Sequence, residues 1–177
     1  MQRFMASDFW KDEILGGARE TLEKVKPLVT QLGMKYVELP DSVTAVGIAV
    51  PFSETQYSML AVMGGGNEGQ LYITAGVLRD IQQDRLAILK ICNHMVGDNP
   101  AYPIYLHDAQ IGWDILVSNM FPISLVFDVP KYFANAVRAL PIIAESARST
   151  FAEANLGGQP FRWNADDLNR LLTVSTM

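Results

Sequence analysis

Four short β-rich runs, KYVEL, TAVGIAVPF, TQYSMLAVM and GQLYITAGVL, follow one another between Met34 and Leu78 with only PDS, SE and GGGNEG between them. Links this short join neighbouring antiparallel strands, because a parallel crossover needs a dozen or more residues. Any fold for this chain is therefore built around an antiparallel meander. The residues on either side must supply the layer that covers it.

They do so with helices. Ahead of the meander, Leu15, Ala18, Leu22, Val25, Val29 and Leu32 recur at steps of three and four, the spacing of one helix face. Ser7 or Asp8 is placed to cap this helix and Gly33 to end it, while Pro27 should kink or divide it. After the meander, DRLAILKICNHMVG is apolar at Leu86, Ile88, Leu89, Ile91, Cys92, Met95 and Val96. That breadth predicts a largely buried helix, capped by Asp84 and stopped at Gly97. Two strands follow, AYPIYLHD and IGWDILVSN, joined by a turn around Asp108 to Gln110, and the second places Ile111, Trp113, Ile115 and Val117 on one face. A third helix starts near Asp128 with Pro130 in its first turn. It aligns Phe133, Val137, Leu140, Ala144, Ala147 and Phe151, with Pro141 as an expected bend.

The expected fold is α+β, an antiparallel sheet flanked by helices in the order α-β-β-β-β-α-β-β-α. One domain spans 1–158, and a short tail, 159–177, follows the linker ANLGGQP. In the tail, Asn164 is positioned to cap a short helix. No repeat or low-complexity segment interrupts this order.

Composition then narrows the function. A net charge of −5 and a pI near 5.0, with isolated Lys and Arg, argue against nucleic-acid binding, which needs clustered cations. The longest uncharged runs, such as ILVSNMFPISLVF, are too short for a membrane helix, and the start MQRFMASDFWKDE lacks a signal peptide's apolar stretch. A single cysteine rules out an internal disulfide framework. Together these readings predict a cytoplasmic protein.

The densest potentially reactive chemistry lies in KICNHMVGDNPAYPIYLHD, which holds Cys92 and both histidines, His94 and His107. Two positions along a helix are about 200° apart around its axis, so Cys92 and His94 point to opposite sides. A zinc site would need further ligands at regular spacing, and neither CxxC nor HxxxH occurs. Cys92 reads instead as a core residue, His94 as a residue favoured at a helix C-terminus, and Asp108 as a turn former. MGGGNEGQ lacks the Lys-Ser or Lys-Thr of a phosphate loop and runs into a strand, so it reads as a hairpin loop. Asp166 and Asp167 suit helix capping, and no GxSxG elbow is present. The chain therefore carries no sequence support for enzyme activity, and no cofactor or metal is expected.

The order of elements, read with DRLAILKICNHMVGDNPAYPIYLHDAQIGWDILVSNMFP, resembles the type III secretion chaperone-like fold of class I secretion chaperones and YbjN-like proteins, most strongly over 69–150. In that family a helix with an Asn near its C-terminal end precedes a hairpin, a Pro-containing loop and the last helix. Here Asn93, the hairpin from Tyr102 to Ser118, and Pro122 take those places. An additional strand between Met34 and Phe52 and the tail after Gly158 depart from the pattern. The resemblance implies a non-enzymatic, often dimeric protein that binds peptide segments of partners.

Eight methionines, among them Met59, Met63 and Met95, and three tryptophans supply soft apolar surface beyond what a core of this size needs. The leading expectation is thus a homodimeric, peptide- or protein-binding protein that takes a client segment on a sheet face or edge. Tyr105, Trp113 and Ile115 on the late hairpin and Leu60 and Val62 on the early strand are the candidate contacts. A self-assembling structural subunit and a small-molecule-binding regulatory domain are the alternatives.

Overall fold

The β-branched and aromatic runs form strands where the alternation places them. The computed structural model describes residues 6–38, 45–51, 56–65, 69–82, 84–108, 112–123, 128–160 and 163–164. After helix α1 (Ala6–Gln31) come β1 (Lys35–Glu38), β2 (Ala45–Pro51), β3 (Gln56–Gly65) and β4 (Gln70–Ile81), an antiparallel meander. Helix α2 (Arg85–Asp98), the hairpin β5 (Ile104–Asp108) and β6 (Trp113–Pro122), helix α3 (Val129–Glu153), and two-residue strands β7 (Gln159–Pro160) and β8 (Trp163–Asn164) complete the chain order. The sheet runs β1-β2-β3-β4-β6-β5, with β7 on β4 and β8 on β3. The α+β class and the helix-and-strand order expected from the sequence are those of the protein.

Register aligns the core in rows across the strands. Tyr36, Ile48, Leu60, Ala75, Val117 and Ile104 form one row, and Val46, Val62, Ile73 and Asn119 the next. Against these rows lie Leu22, Val25 and Val29 of α1, Ile88 and Cys92 of α2, and the whole α3 stripe from Phe133 to Phe151, in one apolar cluster. Helix α1 packs chiefly on β3, α3 on β4 and β6, and α2 on β5.

Helix ends follow local chemistry. Asp84 accepts a hydrogen bond from the Leu86 N–H at 2.9 Å, and Asp128 accepts one from the Lys131 N–H at 3.0 Å. At the other end of α1, Gly33 has φ +70° and donates to Thr30 O, while Met34 donates to Val29 O. That is a Schellman ending, with Gly33 in the left-handed position. Helix α3 ends the same way on Asn155, φ +54°, with Leu156 donating to Phe151 O.

Several expectations are corrected. Ser7 and Asp8 lie inside α1, and Pro27 does not divide it. Pro27 is exposed, so the one bond it removes, to Glu23 O, lies toward solvent. Gly97 does not stop α2, which continues to Asp98 and closes with the Asn99 N–H on Met95 O. Nor is α2 largely buried: only Ile88 and Cys92 are, because it packs mainly on one strand. Asn164 pairs with Gln56 in the sheet instead of capping a helix, and Leu156 in the expected linker is buried. The side chains of Leu15, Ala18, Met59 and Met63, together with Ile111, the centre of the turn after Asp108, Asp166 and Asp167, lie outside the described residues.

Candidate functional site

Alternation along β3 and β6 decides the fate of the candidate contacts. Leu60, Val62 and Ile115 point to the helix side of the sheet and are fully buried, so they hold α1 and α3 in place and offer nothing to a partner. Tyr105 pairs with Leu116, whereas Leu106 pairs with Ile115, so Tyr105 and Ile115 face opposite sides of the sheet. They cannot belong to one contact surface. Tyr105 itself is 36% exposed. Trp113 is half-buried, and the Arg85 guanidinium lies 4.9 Å from its ring centre, a cation–π contact that ties the start of α2 to β6.

Of the exposed large apolar residues described, Leu86 and Tyr105 lie on α2 and the edge strand it packs on, while Tyr36, Met120, Tyr132 and Ile142 lie on other elements. Among the described residues no strand pairs with the outer edge of β5. On helix α2 Leu86 is 59% exposed and Leu89, Ile91, Met95 and Val96 are half-buried, while the other exposed positions are Arg85, Lys90, Asn93, His94, Gly97 and Asp98. The helix packs chiefly on β5, the last strand of the sheet, and Leu86 is the one apolar side chain it leaves exposed.

The reactive-looking residues of the same helix do not converge. Cys92 is buried, whereas the His94 side chain is 83% exposed, 3.7 Å from Asp98. His107 stands opposite Asp114 across the hairpin. Asn93 is exposed near the helix end. Burial pushes the Cys92 thiol up to about 11. It therefore stays protonated at neutral pH, and the thiolate form gains population only as pH approaches that value. In the folded protein, alkylation of Cys92 by iodoacetamide at pH 8 should run at least about a hundredfold slower than in urea. Labelling at the unfolded rate would place the thiol at the surface.

A second feature lies in α3 and was not read from the sequence. Arg148 is only 7% exposed, inside the apolar stripe between Ala144, Ala147 and Phe151. Its Nε donates to Val77 O at 2.8 Å, its Nη2 to Gly76 O at 2.9 Å, and its Nη1 to Glu145. Those carbonyls sit where β4 shifts register against β6, between Gly76 and Leu78. They also follow directly on Ala75, the last β4 residue paired with β3. A β-bulge leaves backbone groups without ladder partners. The guanidinium supplies them with donors. Beside it opens a cleft of about 500 Å³, lined by Leu78, Glu145, Ser149, Asn155, Gly158 and Pro160 with Arg148 itself. The one sequence signal for this site was a charged residue at a position where the helical spacing asks for an apolar one.

No family model matches the chain, and no curated protein matches it. Among solved structures, the crystal structure of YbjN, a candidate transcription regulator from E. coli, is similar, with a TM-score of 0.53 at 12% sequence identity, over 75% of this chain and 93% of that one. At this identity the likeness is one of fold, and the fold is YbjN-like. The secretion-chaperone half of the resemblance has no support from it.

Proposed function

We propose that this chain is a non-enzymatic, cytoplasmic protein-binding module, regulatory or chaperone-like, that works as a homodimer and takes a client segment against α2 and the β5 edge. The observation that supports this reading is the unpaired outer edge of β5 among the described residues, with Tyr105 36% exposed on it and Leu86 59% exposed on the helix that packs on that strand. An open edge offers backbone hydrogen bonds to an extended segment, and an adjacent apolar helix face offers it side-chain anchors. The regulator designation of YbjN accords with a binding role. The net charge of −5 makes a protein client more suitable than nucleic acid.

Peptide display against the full-length protein tests the proposal. It should enrich segments with apolar anchors, and Leu86→Glu or Tyr105→Glu should weaken the best of them at least about tenfold, near 1.4 kcal/mol, with the unfolding midpoint unchanged. An empty selection, or variants that bind as well as the parent, sinks the reading. The cleft beside Arg148 supports a second reading, a small-molecule-binding regulatory domain, because its volume falls within the range of ligand pockets. Native mass spectrometry with no retained small molecule counts against that alternative.

A further inference from the structure

The ladder between β3 and β4 runs from Gly65↔Gln70 to Leu60↔Ala75 and then stops. Beyond that point the two strands continue without pairing with each other, and the segment after α3 enters between them. Gln56 and Tyr57 of β3 pair with Asn164 and Trp163, while Leu78 and Arg79 of β4 pair with Pro160 and Gln159. Both pairings are antiparallel, and so are β3 and β4, which means that β7 and β8 run in opposite directions. The last described part of the chain therefore fills a split in the sheet.

Its attachment is slight. Each pairing is two residues long, Pro160 has no N–H to contribute, and Gln159 and Pro160 are exposed. The connection to α3 passes through Asn155, Gly157 and Gly158, at φ +54°, +69° and +92°. Three left-handed residues in four make a tight reversal that holds the segment against its own sheet. At the head of the split the Gly76 and Val77 carbonyls are satisfied by Arg148, from α3, without help from the occupant.

We propose that β7 and β8 exchange between two copies of this chain, each copy filling the split of the other. The described strands β7 and β8 keep the same pairings in either arrangement, while the tight hinge opens. Exchange of an identical element is a low-cost route to a dimer, and short hinges under constraint favour it. The partner is thus a second copy, and the joint is a strand exchange independent of the β5 edge.

The full-length variant Arg79→Cys/Gln159→Cys tests this, since these positions are direct cross-strand partners within disulfide reach. Oxidised dilute, it should give internally cross-linked monomer. Oxidised concentrated, it should give covalent dimer, with the dimer-to-monomer ratio rising in proportion to concentration. Arg79→Cys and Gln159→Cys alone should give none. Internally cross-linked monomer at every concentration overturns the exchange, even if light scattering shows a dimer, which would then use another surface. Deleting Gly157 provides a second test: a hinge one residue short cannot reach its own split in register but still reaches a partner's, so this variant should be dimeric, and a monomer overturns the proposal. Saturable binding of a synthetic peptide of residues 156–166, with no covalent dimer of the double variant, would assign the slot to a foreign segment and also overturn it.

Discussion

Replacing Arg148 by leucine is expected to destabilise the protein by about 3–5 kcal/mol, the largest effect of any single polar residue described. Arg148 is only 7% exposed, and its guanidinium makes hydrogen bonds to Val77 O, Gly76 O and Glu145. Leucine fills part of the volume and supplies no donor. Each buried carbonyl left without a partner costs about 1–3 kcal/mol, and Glu145 loses its ion-pair partner as well. For a chain of this size such a loss lowers the thermal midpoint by roughly 10–15 °C. Arg148→Lys should recover less than half, because one ammonium on a flexible stem cannot replace a planar fork held by three acceptors. Urea titration should show the midpoint falling with the slope unchanged. A loss below about 1 kcal/mol would mean that water takes over the two carbonyls and that Arg148 does not hold the bulge.

How much of this was legible depends on whether the signal is local. The meander followed from link lengths, the cap at Asp84 from the residue before α2, the start of α3 near Asp128 from Pro130 in its first turn, and the α3 stripe from its spacing, all readable within a dozen residues. The depth of α2 was not. Its seven apolar positions say that it has apolar surface but not how many strands lie beneath it, and at the edge of the sheet only Ile88 and Cys92 find cover. The candidate contacts failed for a related reason. Alternation separates the two faces of a strand without telling which of them the helices choose, and Leu60, Val62 and Ile115 fell on the helix side. Arg148 was illegible because its partners are 71 and 72 positions away. Asn164 suggests a helix cap by residue type, which favours both caps and turns, and only the split between β3 and β4 draws it into a strand.

Gly112→Ala is expected to cost about 3–5 kcal/mol, and the reason is the crowding around Ile81. Gly112 has φ +76°, a region that costs an alanine about 1–2 kcal/mol by itself. A Cβ built there would stand 2.4 Å from Ile81 O and 2.9 Å from Ile81 C, backbone atoms that cannot turn aside. Forcing them apart adds about 1–3 kcal/mol. The same stretch of β4 already bends through Asp80 at φ +58°, whose N–H is held by Asp114 at 3.2 Å, so the strand has little room to yield. From the other side Gly158, φ +92°, closes on Ile81 too: a Cβ built there would stand 2.7 Å from the side-chain Cγ1 and 3.1 Å from Arg79 O. Gly158→Ala should therefore lie just below Gly112→Ala, because a side-chain carbon gives more readily than a backbone carbonyl. Gly33 separates the two causes. At φ +70° with nothing within 4 Å, Gly33→Ala carries the backbone penalty alone, about 1–2 kcal/mol. Gly97 removes both, since it lies within a helix in open space, and Gly97→Ala should stabilise by about 0.5–1 kcal/mol. Urea midpoints for the four variants should fall in the order Gly97, Gly33, Gly158, Gly112. If Gly112→Ala proved no worse than Gly33→Ala, the loop before β6 would stand off from Ile81, and the fit of the hairpin against β4 would not be what fixes its register.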